Sequence, residues 1–192
     1  MSDRYKNSIR QTSLKVRELL SPEYQRSMSD RICARIRSLD VYRYAKKIAL
    51  YHAMKGEVDL MPLWKTAPLH GKYCYFPALE ENKSLLFLPA TPVTEFTENR
   101  FGIEEPLVDH KLAIPTNDLE IIFLPLVAFD EYGTRLGMGS GYYDRTLENC
   151  PRPLLIGVAY EFQRQSYIQP QPWDIPLSII VTETNVYRRD YA

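Results

Sequence analysis

Between Arg135 and Arg145 the sequence reads RLGMGSGYYDR, the densest run of chemistry-bearing residues in the chain. Glycines recur at 137, 139 and 141, and glycine lets backbone N–H groups approach a ligand with no Cβ in the way. Successive N–H groups in such a loop, beside a helix N-terminus, form a concavity suited to anions. With Arg135 before the loop and Asp144 after it, the pattern suits phosphate accompanied by a metal ion. The same glycines would also serve an ordinary strand-to-helix turn, and the residues alone leave both readings open. Two standard nucleotide loops are excluded. A P-loop needs Gly-Lys-Ser/Thr at the helix start, where Tyr142 and Tyr143 stand, and the dinucleotide fingerprint needs a glycine at 142.

Other chemistry is sparser. Lys6 and Arg10 lie four apart and share one face of a predicted helix, an arrangement more often solvated than functional. Glu57 follows a predicted strand, at the end of an open α/β sheet where ligand groups are placed, although a loop carboxylate there is usually just hydrated. His52, His70 and His110 are isolated, so a histidine-ligated metal is not expected. Cys33, Cys74 and Cys150 make neither a C-x-x-C zinc pattern nor a disulfide framework, which suits a reducing cytosol.

The 192 residues carry 24 Lys+Arg against 24 Asp+Glu, and zero net charge argues against a dedicated nucleic-acid or membrane-surface protein. The polar N-terminus is unlike a signal peptide, and the longest apolar run, 121–129, is interrupted by Pro125 and too short to span a bilayer. A cytoplasmic monomer with no nucleic-acid or membrane partner is expected.

The elements that must position these groups read as follows. Residues 4–20 form a predicted helix with Ile9, Val16 and Leu20 on its stripe. Ser21-Pro22-Glu23 starts a second helix as N-cap, first-turn proline and first-turn acid, with Tyr24, Met28, Ile32 and Ile36 as its core face. Strands are predicted at 47–53, 72–79, 85–89, 118–129, 154–160 and 179–182, with a helix from Asp59 to about Leu69 closed by Gly71. The stretch QPQPWDIP at 169–176 is too proline-rich for regular structure. Strands alternating with helices imply a single-domain, three-layer α/β/α sandwich over 1–192. Its largely parallel sheet would have about six strands, and a helical segment 1–40 would pack on a body at 41–192 or wall the site.

The run RLGMGSGYYDR closely resembles the signature of the 5-formyltetrahydrofolate cyclo-ligase (5,10-methenyltetrahydrofolate synthetase) family, bacterial type. KNSIR at 6–10, GEVD at 56–59, FGIEEP at 101–106 and WDIPL at 173–177 resemble its other segments, in order and spacing. The resemblance implies ATP- and Mg²⁺-dependent conversion of 5-formyltetrahydrofolate to 5,10-methenyltetrahydrofolate, with release of ADP and phosphate. The formamide of that substrate is a poor electrophile, and ring closure would have to expel hydroxide. Phosphorylating the formyl oxygen makes the carbon electrophilic and gives a good leaving group, which leaves positioning and charge stabilisation to the protein.

By resemblance, Lys6, Arg10 and Arg135 face the triphosphate, a clamp worth several kcal/mol, on the order of an oxyanion-hole donor. Leu136, Gly137, Met138, Gly139, Ser140 and Gly141 wrap the phosphates and touch the folate. Tyr142 and Tyr143 border the pocket, Asp144 holds Mg²⁺, and Arg135, Tyr143 and Asp144 form the catalytic set. Glu57 would pair with the pterin's N–H edge, with His52 beside the folate. Ser178 stands where many members of the family carry a second metal-binding Asp, so the metal would rely on Asp144, water and phosphates, or on nearby Asp174. A non-catalytic folate store would need no triphosphate clamp, and a sugar-phosphate isomerase or CoA-transferase-like enzyme would not need the basic N-terminal helix.

Overall fold

In the computed structural model, which describes residues 3–189, Ile121 to Leu124 are all buried, as a strand covered on both faces requires. The helices are α1 (Asp3–Glu18), α2 (Pro22–Ser38), α3 (Asp40–Tyr44), α4 (Met61–Trp64) and α5 (Tyr142–Leu147). The strands are β1 (Lys47–Ala49), β2 (Tyr73–Leu79), β3 (Leu85–Pro89), β4 (Phe96–Glu98), β5 (Glu104–Pro106), β6 (Ile121–Pro125), β7 (Ala128–Phe129), β8 (Arg135–Leu136), β9 (Leu154–Val158), β10 (Ile179–Val181) and β11 (Val186–Arg188). The main sheet has seven strands, ordered β11-β10-β9-β6-β1-β2-β3, with only the edge strands β3 and β11 antiparallel to their neighbours. The expected largely parallel α/β sheet is present, with one more strand than predicted.

On one face Ile32 and Ile36 of α2, Tyr42 of α3 and Leu63 of α4 meet Ile48, Phe76, Phe123 and Ile156 of the sheet. On the other face Ile122, Leu124, Leu155 and Ile180 are covered by Leu147 of α5 together with Leu119, Phe129 and Leu177. This second covering layer is mostly irregular chain, so the α/β/α description holds fully on one side only. Helix α2 starts as its sequence implies. Ser21 accepts from Tyr24 N at 3.2 Å, Pro22 opens the first turn, and Ile32 and Ile36 are buried.

Several boundaries differ from expectation, each for a physical reason. The predicted strand 118–129 is two strands, because Gln163 Nε2 donates to both Leu126 O and Val127 O, at 2.7 and 2.9 Å. Those carbonyls are taken from any neighbouring strand, and β7 leaves the main sheet to pair with β8. The predicted helix 59–69 is α4 followed by a 3-10 turn at Ala67–His70, since Pro68 has no N–H to donate back to the preceding turn. Leu60, not the expected Asp59, is the N-cap, although Asp59 Oδ1 accepts from Met61 N at 2.9 Å just ahead of it, and Gly71 closes the segment in a left-handed conformation.

Helix α1 lies on neither face of the main sheet. Its Ile9 packs on Ala128 and Leu136 of the β7–β8 pair and on Ile168. Of the stripe predicted for it, Ile9 is buried and Leu20 packs partly buried against the core, but Val16 is exposed, and Lys6, Ser13 and Arg17 complete the buried face with Ile9. That face is mostly polar, which hydrophobic periodicity cannot detect. Among the described residues no helix is long and apolar enough to cross a membrane.

Candidate active site

The β7–β8 hairpin is built around a buried carboxylate. Asp130 Oδ1 accepts from Tyr132 N at 3.1 Å and Thr134 N at 2.9 Å, and its Oδ2 accepts from Ile168 N at 2.8 Å. This turn fixes where Arg135 emerges. The Arg135 guanidinium then donates through Nη2 to Asp144 Oδ1 at 2.5 Å and through Nη1 to Ile175 O. Between them runs the glycine loop, with Met138, Gly139 and Ser140 exposed at its crest. Gly139 has φ +97°, a conformation that a Cβ would strain, and Gly141 leads into α5 from a left-handed conformation.

Helix α1 lies along this loop. Arg10 Nε donates to Gly137 O at 2.9 Å and Nη1 to Asn7 Oδ1 at 2.8 Å. Lys6, buried, places Nζ 3.7 Å from Asp174 Oδ2, one residue from the Ile175 carbonyl that Arg135 holds. The three cations singled out in the sequence are therefore gathered around one loop system, drawn from α1 and β8.

A second group lies where β1 ends. Glu57 Oε2 accepts from Met54 N at 3.0 Å, and Oε1 is 3.7 Å from Nη2 of Arg17. Burial pushes the Glu57 carboxyl up to about 6, against the opposing pull of Arg17. The Tyr143 hydroxyl is held well above its ordinary range by burial and by the neighbouring Glu57 charge, so Tyr143 is a hydrogen-bond donor at neutral pH, not a base. Tyr51 responds to the same charge and donates to Val58 O at 2.8 Å. The glycine-loop tyrosines thus diverge. Tyr143 turns in toward Glu57, while Tyr142 meets Phe101 edge-on and accepts from Arg100 Nη2 at 3.2 Å.

His52 sits among Trp64, Phe76 and Phe96, with Nδ1 3.2 Å from Glu104 Oε2 of β5. Burial lowers its pKa despite Glu104, which keeps the imidazole neutral at physiological pH. The predicted FGIEEP loop therefore reaches both His52 through Glu104 and Tyr142 through Phe101. The buried thiols of Cys33 and Cys74 are pushed up to about 12, and neither is a nucleophile at neutral pH.

For a metal, the donor set is thin. Among the described residues there is no group of three His, Cys, Asp or Glu side chains. Asp144 is a partly exposed hard donor of which Arg135 engages one oxygen, Oδ1. A Mg²⁺ ion held by one carboxylate, phosphate oxygens and water fits that arrangement. Asp174 is turned to Lys6 and to Gln171 N, and the backbone N–H and C=O of Ser178 are bonded to Leu155 O and Arg189 N.

Sequence reasoning missed Arg17, the largest fully buried side chain. Its signal was the i, i+4, i+8 run Ile9, Ser13, Arg17, visible only once a polar residue is allowed on a core face.

The sequence profile of the 5-formyltetrahydrofolate cyclo-ligase family matches residues 2–183. The chain is 37% identical over 175 residues to the 5-formyltetrahydrofolate cyclo-ligase of Escherichia coli K12, covering 89% of this chain and 96% of that one. It is 37% identical over 181 residues to that of Haemophilus influenzae, covering 92% and 97%. Among solved structures, the 5,10-methenyltetrahydrofolate synthetase of Aquifex aeolicus superposes with a TM-score of 0.85 at 37% identity, over 97% of this chain and 94% of that one. The 5,10-methenyltetrahydrofolate synthetase of Mycoplasma pneumoniae superposes with a TM-score of 0.74 at 26% identity, over 93% and 98%.

Proposed function

Because the chain belongs to the 5-formyltetrahydrofolate cyclo-ligase family, whose enzymes convert 5-formyltetrahydrofolate to 5,10-methenyltetrahydrofolate, we propose that this one drives the reaction by ATP-dependent phosphorylation of the formyl oxygen at its glycine loop. ATP is the co-substrate, and ADP and phosphate leave. The enzyme works in the cytoplasm as a monomer, on small molecules only, with no nucleic-acid or membrane partner.

The observation that carries this reading is the Arg135 guanidinium, bonded at once to Asp144 and to Ile175 O, with Arg10 on Gly137 O of the same loop. Lys6, Arg10 and Arg135 form the clamp on the triphosphate. Each now rests on a protein oxygen that phosphate oxygens would replace, and such an exchange needs little reorganisation. Backbone N–H groups from Leu136 to Gly141, with Tyr142 at the rim, line the phosphates, and the crest at Met138, Gly139 and Ser140 touches the formyl end of the folate. Asp144 would hold Mg²⁺, which would supply positive charge to offset that of the transferring phosphate. Glu57 accepts the pterin's N–H edge, His52 flanks the folate, and Tyr143 donates a hydrogen bond between the two substrates.

The test is direct. Protein, 5-formyltetrahydrofolate, Mg²⁺ and ATP are mixed and methenyl product and ADP are followed together. One ADP per methenyl is expected; folate binding without ATP consumption would turn the protein into a folate store.

A further inference from the structure

Arg17 closes the polar face of α1 and is 1% exposed. Its Nε donates to Lys55 O and its Nη1 to Leu126 O, each at 3.1 Å. Its Nη2 is buried, has no hydrogen-bond partner, and stands 3.7 Å from Glu57 Oε1. That gap is too long for a hydrogen bond and short enough for strong Coulomb attraction in a buried setting. The guanidinium is therefore placed by two backbone carbonyls, one within the Glu57 turn and one after β6, and acts on the carboxylate by charge. The turn also rests on the helix itself: a Cβ at Gly56 would come within 3.0 Å of Arg17 O.

We propose that Arg17 is a positioning residue for the folate reaction. It holds the Glu57 carboxylate ionised and aimed at the pterin, and ties it to the helix that carries Lys6 and Arg10. The proposal rests on the reading of Glu57 as the pterin's acceptor. A buried carboxylate accepts N–H donors best when charged, and an opposite charge within about 4–6 Å favours the charged form. The other groups facing Glu57 do less. Lys55 lies in its own turn, and Tyr51 beyond β1, Tyr143 in α5 and Tyr160 beyond β9 are neutral at physiological pH, their hydroxyls raised by burial. Arg17 is thus the cation that comes to Glu57 from another element.

The experiment measures kcat/KM for 5-formyltetrahydrofolate against pH, alongside KM for ATP. The wild-type acid limb should fall near the Glu57 value of about 6. Arg17→Met should move that limb up by about one pH unit or more, raise the folate KM at neutral pH, and recover toward wild type in alkali while KM for ATP changes little. Arg17→Lys, which keeps the cation but loses the fork, should move the limb in the same direction by less. It serves alone if Arg17→Met does not fold. Glu57→Gln should remove the limb, and adding Arg17→Met to it should leave the folate KM where Glu57→Gln put it. An acid limb unmoved in the Arg17 variants, with folate KM raised in Glu57→Gln, overturns the Arg17 role alone. A wild-type folate KM in Glu57→Gln overturns the pterin reading beneath it.

Discussion

Arg135 and Asp144 neutralise one another at 2.5 Å, so neither can be altered without exposing the other. Asp144→Ala should lower turnover by about 10²-fold or more, the scale on which a transition-state charge partner acts, while far-UV circular dichroism stays native; turnover like wild type would remove Asp144 from the metal. Arg135→Ala should raise the KM for ATP, and an unchanged dependence on ATP concentration would take Arg135 out of the clamp. Glu57 has the opposite kind of consequence. Its folded-state pKa of about 6 lies above the unfolded carboxylate value, so its contribution to stability is full in acid and lost as pH rises through 6. Glu57→Gln should therefore stabilise the unliganded protein at pH 8 by about 2 kcal/mol and leave it unchanged near pH 4, read from urea midpoints. A destabilised variant at pH 8 would show that the ionised carboxylate is not strained. Arg135, Asp144 and Glu57 could be singled out from the sequence because each stands in a short motif. Arg17 could not, since the face it shares with Ile9 and Ser13 is mostly polar and hydrophobic periodicity passes over it.

At the scale of elements, the glycine loop was legible and the break before it was not. Leu126 and Val127 are as buried as the strand they follow, so the apolar run cannot reveal that Gln163 ends the pairing. Strands β4, β5 and β11 were missed because three-residue strands with mixed burial carry no period. The hairpin turn shows what holds the loop's approach. Gly133 has φ +86°, its O accepts from Leu177 N at 2.8 Å, and a Cβ there would sit 2.5 Å from Leu177 O. Gly133→Ala should cost about 2–3 kcal/mol or more from strain and displaced backbone. Gly102→Ala, at φ +71° with nothing within 4 Å, should cost only about 1 kcal/mol. Equal urea midpoints for the two variants would contradict the packing of the hairpin against residue 177.

For the molecule as a whole, the sheet was legible because its inner strands are continuous apolar runs, and the sparse cover on one face was not, since loops supply it. Zero net charge hides local pairing: the fold brings Lys6 and Arg10 of α1 to the loop that follows Arg135, where Lys6 meets Asp174, Arg10 meets Gly137 O and Arg135 meets Asp144. We propose that the chain folds as one unit, with buried Trp64 fluorescence and far-UV dichroism lost together in urea; separated transitions would divide it. The central claim concerns one oxygen atom. If the glycine loop delivers the γ-phosphoryl group to the formyl oxygen, substrate carrying ¹⁸O in the formyl group must release phosphate with one ¹⁸O for each methenyl formed. Phosphate free of the label, with the ¹⁸O recovered in water, would contradict it.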